Sequence, residues 1–271
     1  MVSLDHEPIV ERIIHGLVRK HIAGTTMDSA LDAAKGFAGR HIIPSITFLS
    51  SNVVEKPKAK YITTTYSELV RRIGRSGIRA NVQVPIEQLG AGIDEDAAVE
   101  NLRSISDTGR RYGVFVWVET DGIGKSAMAS IAKMGGVGPV VDEGDAEDYA
   151  RNGRFRSAKV TFGKYEPRSK NETSKRVDVL RKLFHNLAVS GLHDKPLSEI
   201  VRGKVRNLTV EFGFGDSDKK MNFALKRGIS VGVLVPFGKD WIKYAMNNAP
   251  EGYMRFVAGK LLKEDVEDGA E

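Results

Sequence analysis

The chain of 271 residues contains no cysteine. Disulfides, thiolate metal sites and a cysteine nucleophile are therefore excluded, and the absence fits a reducing cytoplasm. Long hydrophobic runs are also missing. None approaches the roughly 18 residues of a membrane span. The opening MVSLDHEPIVERIIHGLV carries acids early and has no long apolar centre, unlike a secretory leader. A cytoplasmic protein is the expectation. Aromatic residues reach only 7%, so the core must come chiefly from the aliphatic share of the 41% apolar residues. Charge of one sign does not dominate: 41 Lys and Arg face 35 Asp and Glu, for a net +6. The basic residues are scattered, and a cluster such as Arg71-Arg72-Ile73-Gly74-Arg75 is broken by apolar residues and glycine. Such spacing reads as solvated faces or anion contacts more than as a polynucleotide groove.

What is present is a regular series of β-rich apolar runs: Ile42–Leu49, Ala80–Ile86, Val114–Val118, Val137–Val141, Ala158–Phe162, Leu187–Leu192, Leu208–Phe212 and Val231–Val235. Helical patterns lie between most of them, at Tyr66–Arg72, Glu95–Arg111, Lys125–Lys133, Ser174–Phe184, Ser198–Val201 and Lys219–Lys226. Only a short helix, near Ala146–Ala150, fits within the fourth unit. Strand-helix alternation with near-continuous apolar strands implies a parallel sheet covered on both faces. Eight such units at this length imply a (β/α)8 barrel of the TIM type. The rival, a doubly wound open sheet, would want a Gly-rich fingerprint after the first strand. The sequence there is Phe48-Leu49-Ser50-Ser51-Asn52. Residues 1–40 read as an N-terminal helical arm, with helices at Pro8–Lys20 and Asp28–Phe37, the second capped by Asp28. Residues 41–262 form the barrel and 263–271 an acidic tail.

Segments along the chain also match a known pattern in order. They are AGTTMDSALDAAKGF, IIPSITFLSSNV, ANVQVPIEQLGAGIDEDAAVENL, FVWVETD, AKVTFGKYEP, SGLHDKPLSEI, VEFGFGDSDKK and VLVPFGKDWIKYAMNN. Taken together the chain resembles the proline dehydrogenase family. That resemblance implies an FAD-linked (β/α)8 barrel that oxidises a cyclic amine or imino acid next to its nitrogen, with a small-molecule ligand at the barrel mouth. It implies catalytic roles for Glu119, where the family has an active-site Asp, and for His193 of the sixth strand's His-Asp turn. Gln88, Lys159, Gly163 and His193 become cofactor-binding candidates. Leu234, Tyr244, Asn247 and Asn248 fall at substrate-binding positions.

The chain departs from the family pattern where charge is used. Leu234 stands at the family's Tyr, Pro85 and Phe162 at two lysines, and Asn247-Asn248 at the Arg-Arg pair that grips the proline carboxylate. Two asparagines supply hydrogen bonds but no charge, so a carboxylate substrate loses its bidentate partners. Proline oxidation is not expected, and FAD binding is expected to be weak or absent. A flavin-free barrel serving as a binding or interaction protein is the alternative, and a basic surface contacting nucleic acid the second. Three other features stay open. Acids beside the third and fourth strand ends, Glu119, Asp121, Asp142 and Glu143, suit a general base or oxygen ligands, or are solvated loop acids; no metal is assigned. Gly122-Ile123-Gly124-Lys125-Ser126 and Gly213-Phe214-Gly215 could offer backbone N–H groups to phosphate. An imine-forming Lys159 would need a depressed pKa, which the sequence does not reveal.

Overall fold

A computed structural model describes residues 21–50, 53–151, 155–162, 170–192, 207–216 and 218–239. Eight strands close into a parallel barrel in sequence order: β1 (Ile42–Phe48), β2 (Asn81–Pro85), β3 (Val116–Glu119), β4 (Val137–Asp142), β5 (Ser157–Thr161), β6 (Asn186–Ser190), β7 (Leu208–Gly213) and β8 (Ser230–Phe237). The described helices are α1 (Met27–Ala38), α2 (Lys56–Ser76), α3 (Glu95–Tyr112), α4 (Lys125–Ile131), α5 (Ala146–Arg151), α6 (Lys170–Leu183) and α7 (Asp218–Lys226), with a 3₁₀ turn at Ile86–Leu89. All eight expected strands are present, and the architecture is the expected (β/α)8 barrel. The expected helices at Pro8–Lys20 and Ser198–Val201, and the acidic tail, lie outside the described residues.

The strands are not continuously apolar. Side chains alternate across a strand, and the outward set is Val82 and Val84, Val116 and Val118, Ala158 and Val160, Val231, Val233 and Val235, all buried against the helices. The inward set is largely polar: Ser45 and Thr47, Asn81 and Gln83, Trp117 and Glu119, Lys159 and Thr161, Thr209 and Glu211. The hydrophobic core is thus the annulus between barrel and helices. The lumen, which in this architecture is usually filled by branched aliphatic layers, carries hydrogen-bonding groups instead.

Two helix ends differ from expectation. The cap of α1 is Thr26, not Asp28: Thr26 Oγ1 accepts from Ser29 N–H (3.2 Å), and Ser29 answers at the Thr26 backbone N–H (3.3 Å) in a capping box. Asp28 sits in the first turn, where a negative charge suits the helix dipole, and pairs with Arg72 of α2. Helix α2 is 21 residues long, far beyond Tyr66–Arg72. Its first half holds Thr63-Thr64-Thr65, a β-branched run that argues against helix by propensity. Each threonine hydroxyl donates to the carbonyl four residues back, on Ala59, Lys60 and Tyr61, at 2.8–3.0 Å, so the hydroxyls are satisfied inside the helix.

Helix α1 packs against both β1 and β8. It walls the seam where the first and last strands meet. The turn before it is tied to the end of β8 by Ala23 N–H to Pro236 O (2.8 Å) and Gly238 N–H to Gly24 O (3.1 Å). The β1–β2 ladder is the shortest in the barrel, with registered pairs only at Ser45/Asn81 and Ile46/Val82. Beyond it the strands part, and the fully buried Tyr66 of α2 fills the gap. Its hydroxyl accepts from Phe48 N–H (3.0 Å) and donates to Gln83 O (3.0 Å), replacing one rung of sheet. Tyr66→Phe removes that rung and strands two backbone groups. The expected loss is about 1–3 kcal/mol of unfolding free energy, read as a lowered urea midpoint with unchanged slope.

Candidate active site

Glu119 is the last residue of β3 and so lies at the C-terminal mouth, the end where this architecture places its chemistry. One layer below, Lys159 of β5 is 1% exposed and reaches across the lumen. Its Nζ donates to Gln83 Oε1 (2.6 Å) on β2 and Glu211 Oε1 (2.6 Å) on β7, with Ser45 Oγ of β1 at 3.5 Å. The ammonium also lies over the Trp117 ring, 5.3 Å from its centroid, a cation–π distance. Because Gln83 gives its oxygen to Lys159, its Nε2 faces the other way and donates to Glu119 Oε1 at 2.6 Å. Glu119, Gln83, Lys159 and Glu211 therefore form one continuous polar chain from the mouth to the middle of the barrel. Room for the indole comes from Gly138 on β4: a Cβ there would sit 2.7 Å from Trp117 Cζ3.

Burial acts oppositely on the carboxyl and the amine of this chain. It pushes the Glu119 carboxyl above its ordinary value, against the Gln83 hydrogen bond and the Lys159 charge. It pulls the Lys159 amine below its ordinary value, against the charges of Glu211 and Glu119. Desolvation is the larger influence in both, as expected where ions leave water.

The remaining sequence candidates distribute as follows. Gln88 lies in the 3₁₀ turn just beyond the β2 end. It is 5% exposed, and neither amide atom has a hydrogen-bond partner among the described residues. Leu234 is on the lumen side of β8, two residues beyond Gly232 and in register with Ser45. His193, Gly163, Tyr244, Asn247 and Asn248 lie outside the described residues. The Gly-rich loops are partly engaged already: Gly124 N–H donates to Glu95 Oε1 (3.0 Å) and Gly213 N–H to Asp216 Oδ2 (2.6 Å). Among the described residues no three His, Asp or Glu side chains gather closely enough to hold a metal ion. Arg71 and Arg72, from the basic run on α2, pair with Glu68 and Asp28. No described helix is long and apolar enough to cross a membrane.

Sequence reasoning missed Gln83, Ser45 and Trp117 as partners of Lys159. The available signal was the polar alternation Asn81-Val82-Gln83-Val84 and Trp117-Val118-Glu119, which reads as one face of a strand once the barrel is accepted.

Comparison with known proteins agrees with this architecture. The fold is proline dehydrogenase-like. Proline dehydrogenase 1 of Bacillus subtilis strain 168 is 21% identical over 91% of this chain and 91% of its own length, and the same holds for that of B. subtilis subsp. natto. Among solved structures, proline utilization A from Bdellovibrio bacteriovorus inactivated by N-propargylglycine superposes with TM-score 0.71 at 15% identity, over 88% of this chain. The D778Y mutant of proline utilization A from Bradyrhizobium japonicum gives 0.64 at 14% identity over 87%. The chain spans about a third of the length of these proteins, 33% and 31% respectively. No protein-family model matches the chain.

Two outcomes are expected of the lumen. Lys159→Met leaves Glu211 as a buried charge without its partner and should cost about 3–5 kcal/mol in urea denaturation, whereas pairing it with Glu211→Leu restores most of the loss. For Glu119 the folded pKa lies above the ordinary 4.5. Its stabilising contribution is therefore complete below 4.5 and is lost as pH rises through the folded value. Glu119→Gln should consequently gain stability relative to wild type as pH rises through that window, and the advantage should vanish in acid. Thermal unfolding of both proteins across pH measures it.

Proposed function

We propose that this chain is a diverged flavin-dependent oxidoreductase of a small cyclic amine that lacks a carboxylate. The proline dehydrogenase-like fold supports the reaction class. The observation that carries the reading is Gln88: a buried amide without hydrogen-bond partners costs about 1–3 kcal/mol per group, and it stands just past a strand end at the mouth. An amide that both donates and accepts matches the edge of a heterocyclic ring, so the site fits FAD in this respect. When bound, FAD would supply the hydride acceptor.

The chain's own residues do the rest. Glu119 spends one oxygen on Gln83. Its other oxygen can receive the N–H of an ammonium substrate and take the proton that must leave nitrogen before hydride transfer. Burial, which raises the carboxyl's pKa, brings its proton affinity toward that of a general base working near neutrality. Gln83, locked by Lys159, holds the carboxylate in place. Asn247 and Asn248 stand in place of a guanidinium clamp, which disfavours proline itself. Leu234 adds apolar surface on the lumen side of β8, and the family resemblance makes Tyr244 a further substrate-side candidate and His193 and Gly163 further cofactor-side candidates.

A flavin-free binding barrel is the second reading, favoured by one observation. Phe162 is 2% exposed and apolar at a family lysine position, so a reduced ring would lack a positive neighbour there.

Flavin fluorescence during FAD titration separates the two. Weak but saturable quenching is expected. Gln88→Leu should weaken it about tenfold while raising the melting temperature of the apo-protein, because it removes an unsatisfied buried amide. Dye-coupled assays should show turnover of pyrrolidine and none of L-proline at millimolar concentration. No fluorescence change at high micromolar FAD would leave the flavin-free barrel as the account.

A further inference from the structure

Lys159, which steadies the mouth through Gln83, also borders a second space. Below the polar chain, on the N-terminal side of the barrel, a cavity of about 50 Å³ is bounded by Lys159, Glu211 and Trp117, room for a few water molecules. Its rim consists of residues near the strand starts, among them Asn81, Asn186 and Thr209. Asn186 is exposed and Asn81 and Thr209 are part-exposed, so among the described residues the cavity meets solvent at the end of the barrel opposite Glu119. The lumen thus offers Lys159 from below as well as from above.

We propose that Lys159 is a nucleophilic amine that forms an imine with small neutral aldehydes entering from the N-terminal end, with Glu211 as its proton acceptor. Three observations carry this. Lys159 Nζ and Glu211 Oε1 are 2.6 Å apart, within direct proton-transfer reach. The pair is almost dry, at 1% and 6% side-chain exposure, and desolvation works against holding a charged ammonium there. The cavity is lined by both Lys159 and Glu211. The lowered pKa of Lys159 agrees with the geometry and supplies what the sequence alone left open.

The step balances without any oxidant. Glu211 takes one proton from the ammonium, and the amine nitrogen attacks the carbonyl carbon to form a C–N bond. The carbonyl π pair moves to oxygen, which takes up the proton that the now cationic nitrogen releases, giving a neutral carbinolamine. Glu211 then returns its proton to the carbinolamine hydroxyl, water leaves, and the C=N bond forms. The site is small, and Glu211 is an anion beside it. A neutral aldehyde of a few heavy atoms fits, and a 2-oxo acid or an aromatic aldehyde does not.

Reductive trapping tests the assignment. The full chain is treated at neutral pH with acetaldehyde and cyanoborohydride, and modified lysines are located by peptide mass mapping. Lys159 should be alkylated faster than the exposed Lys35 and Lys56, whose side chains are 57% and 70% accessible. Glu211→Gln should slow labelling of Lys159 by about a hundredfold without changing the other two. Asn81→Phe, which narrows the N-terminal opening, should also slow it, and benzaldehyde should label only the surface. Lys159 reacting no faster than Lys35 in the wild type overturns the proposal, whatever the variants do. So does undiminished labelling in folded Glu211→Gln. Full labelling in Asn81→Phe would refute entry from the N-terminal end.

Discussion

A lysine ammonium has three protons to place, and inside this barrel it has almost no water to give them to. That one requirement organises the lumen. Lys159 draws Gln83, Glu211 and Ser45 inward from three different strands. Its demand on the oxygen of Gln83 decides which way that amide faces, and hence that an N–H rather than a carbonyl meets Glu119. Trp117 closes the fourth side with its electron-rich face, and it fits only because β4 supplies Gly138. A buried ion pair is seldom the most stable filling for a space of this size; a well-packed apolar set is often better. A polar lumen kept at that cost points to the groups themselves as the reason for it.

The same network explains the unequal character of the mouth and the middle of the barrel. At the mouth stands a carboxyl group whose proton affinity burial raises, held by the Gln83 amide. In the middle the amine is lowered by the same desolvation. Groups whose proton affinities burial moves away from their ordinary values are the usual raw material of acid–base chemistry. Here the amide between them fixes geometry without merging the two sites.

Much of the fold was legible because the outward faces of the strands are written in valine, isoleucine and leucine at regular intervals, and the helices between them carry ordinary amphipathic spacing. Eight runs in order were enough for the barrel. Where reading failed, a local hydrogen bond outweighed propensity. The threonine run of α2 reads as non-helical until its hydroxyls find the carbonyls one turn back, and Asp28 reads as a cap until Thr26 and Ser29 take that role reciprocally. Glu119, Lys159 and Gln88 could be picked out singly from the segments that carry the family resemblance. Their relations could not. That Lys159 joins Glu211 depends on two strands being neighbours but one, and that Gln88 lacks partners depends on what the surrounding helices fail to offer. Neither has a trace in linear spacing.

The placement of α1 carries a consequence for how the molecule is made. The helix nearest the start of the described chain buries Ala30, Leu31 and Ala34, and it does so against the first and last strands together. During synthesis that face emerges early, while β8, its second wall, emerges some two hundred residues later, about ten to forty seconds at usual elongation rates. Until then the apolar stripe has half a binding surface and the barrel has two open edges. Closure is therefore a late event joining the first and last strands of the barrel, and the nascent protein is most exposed to misassociation in the interval just before β8 arrives.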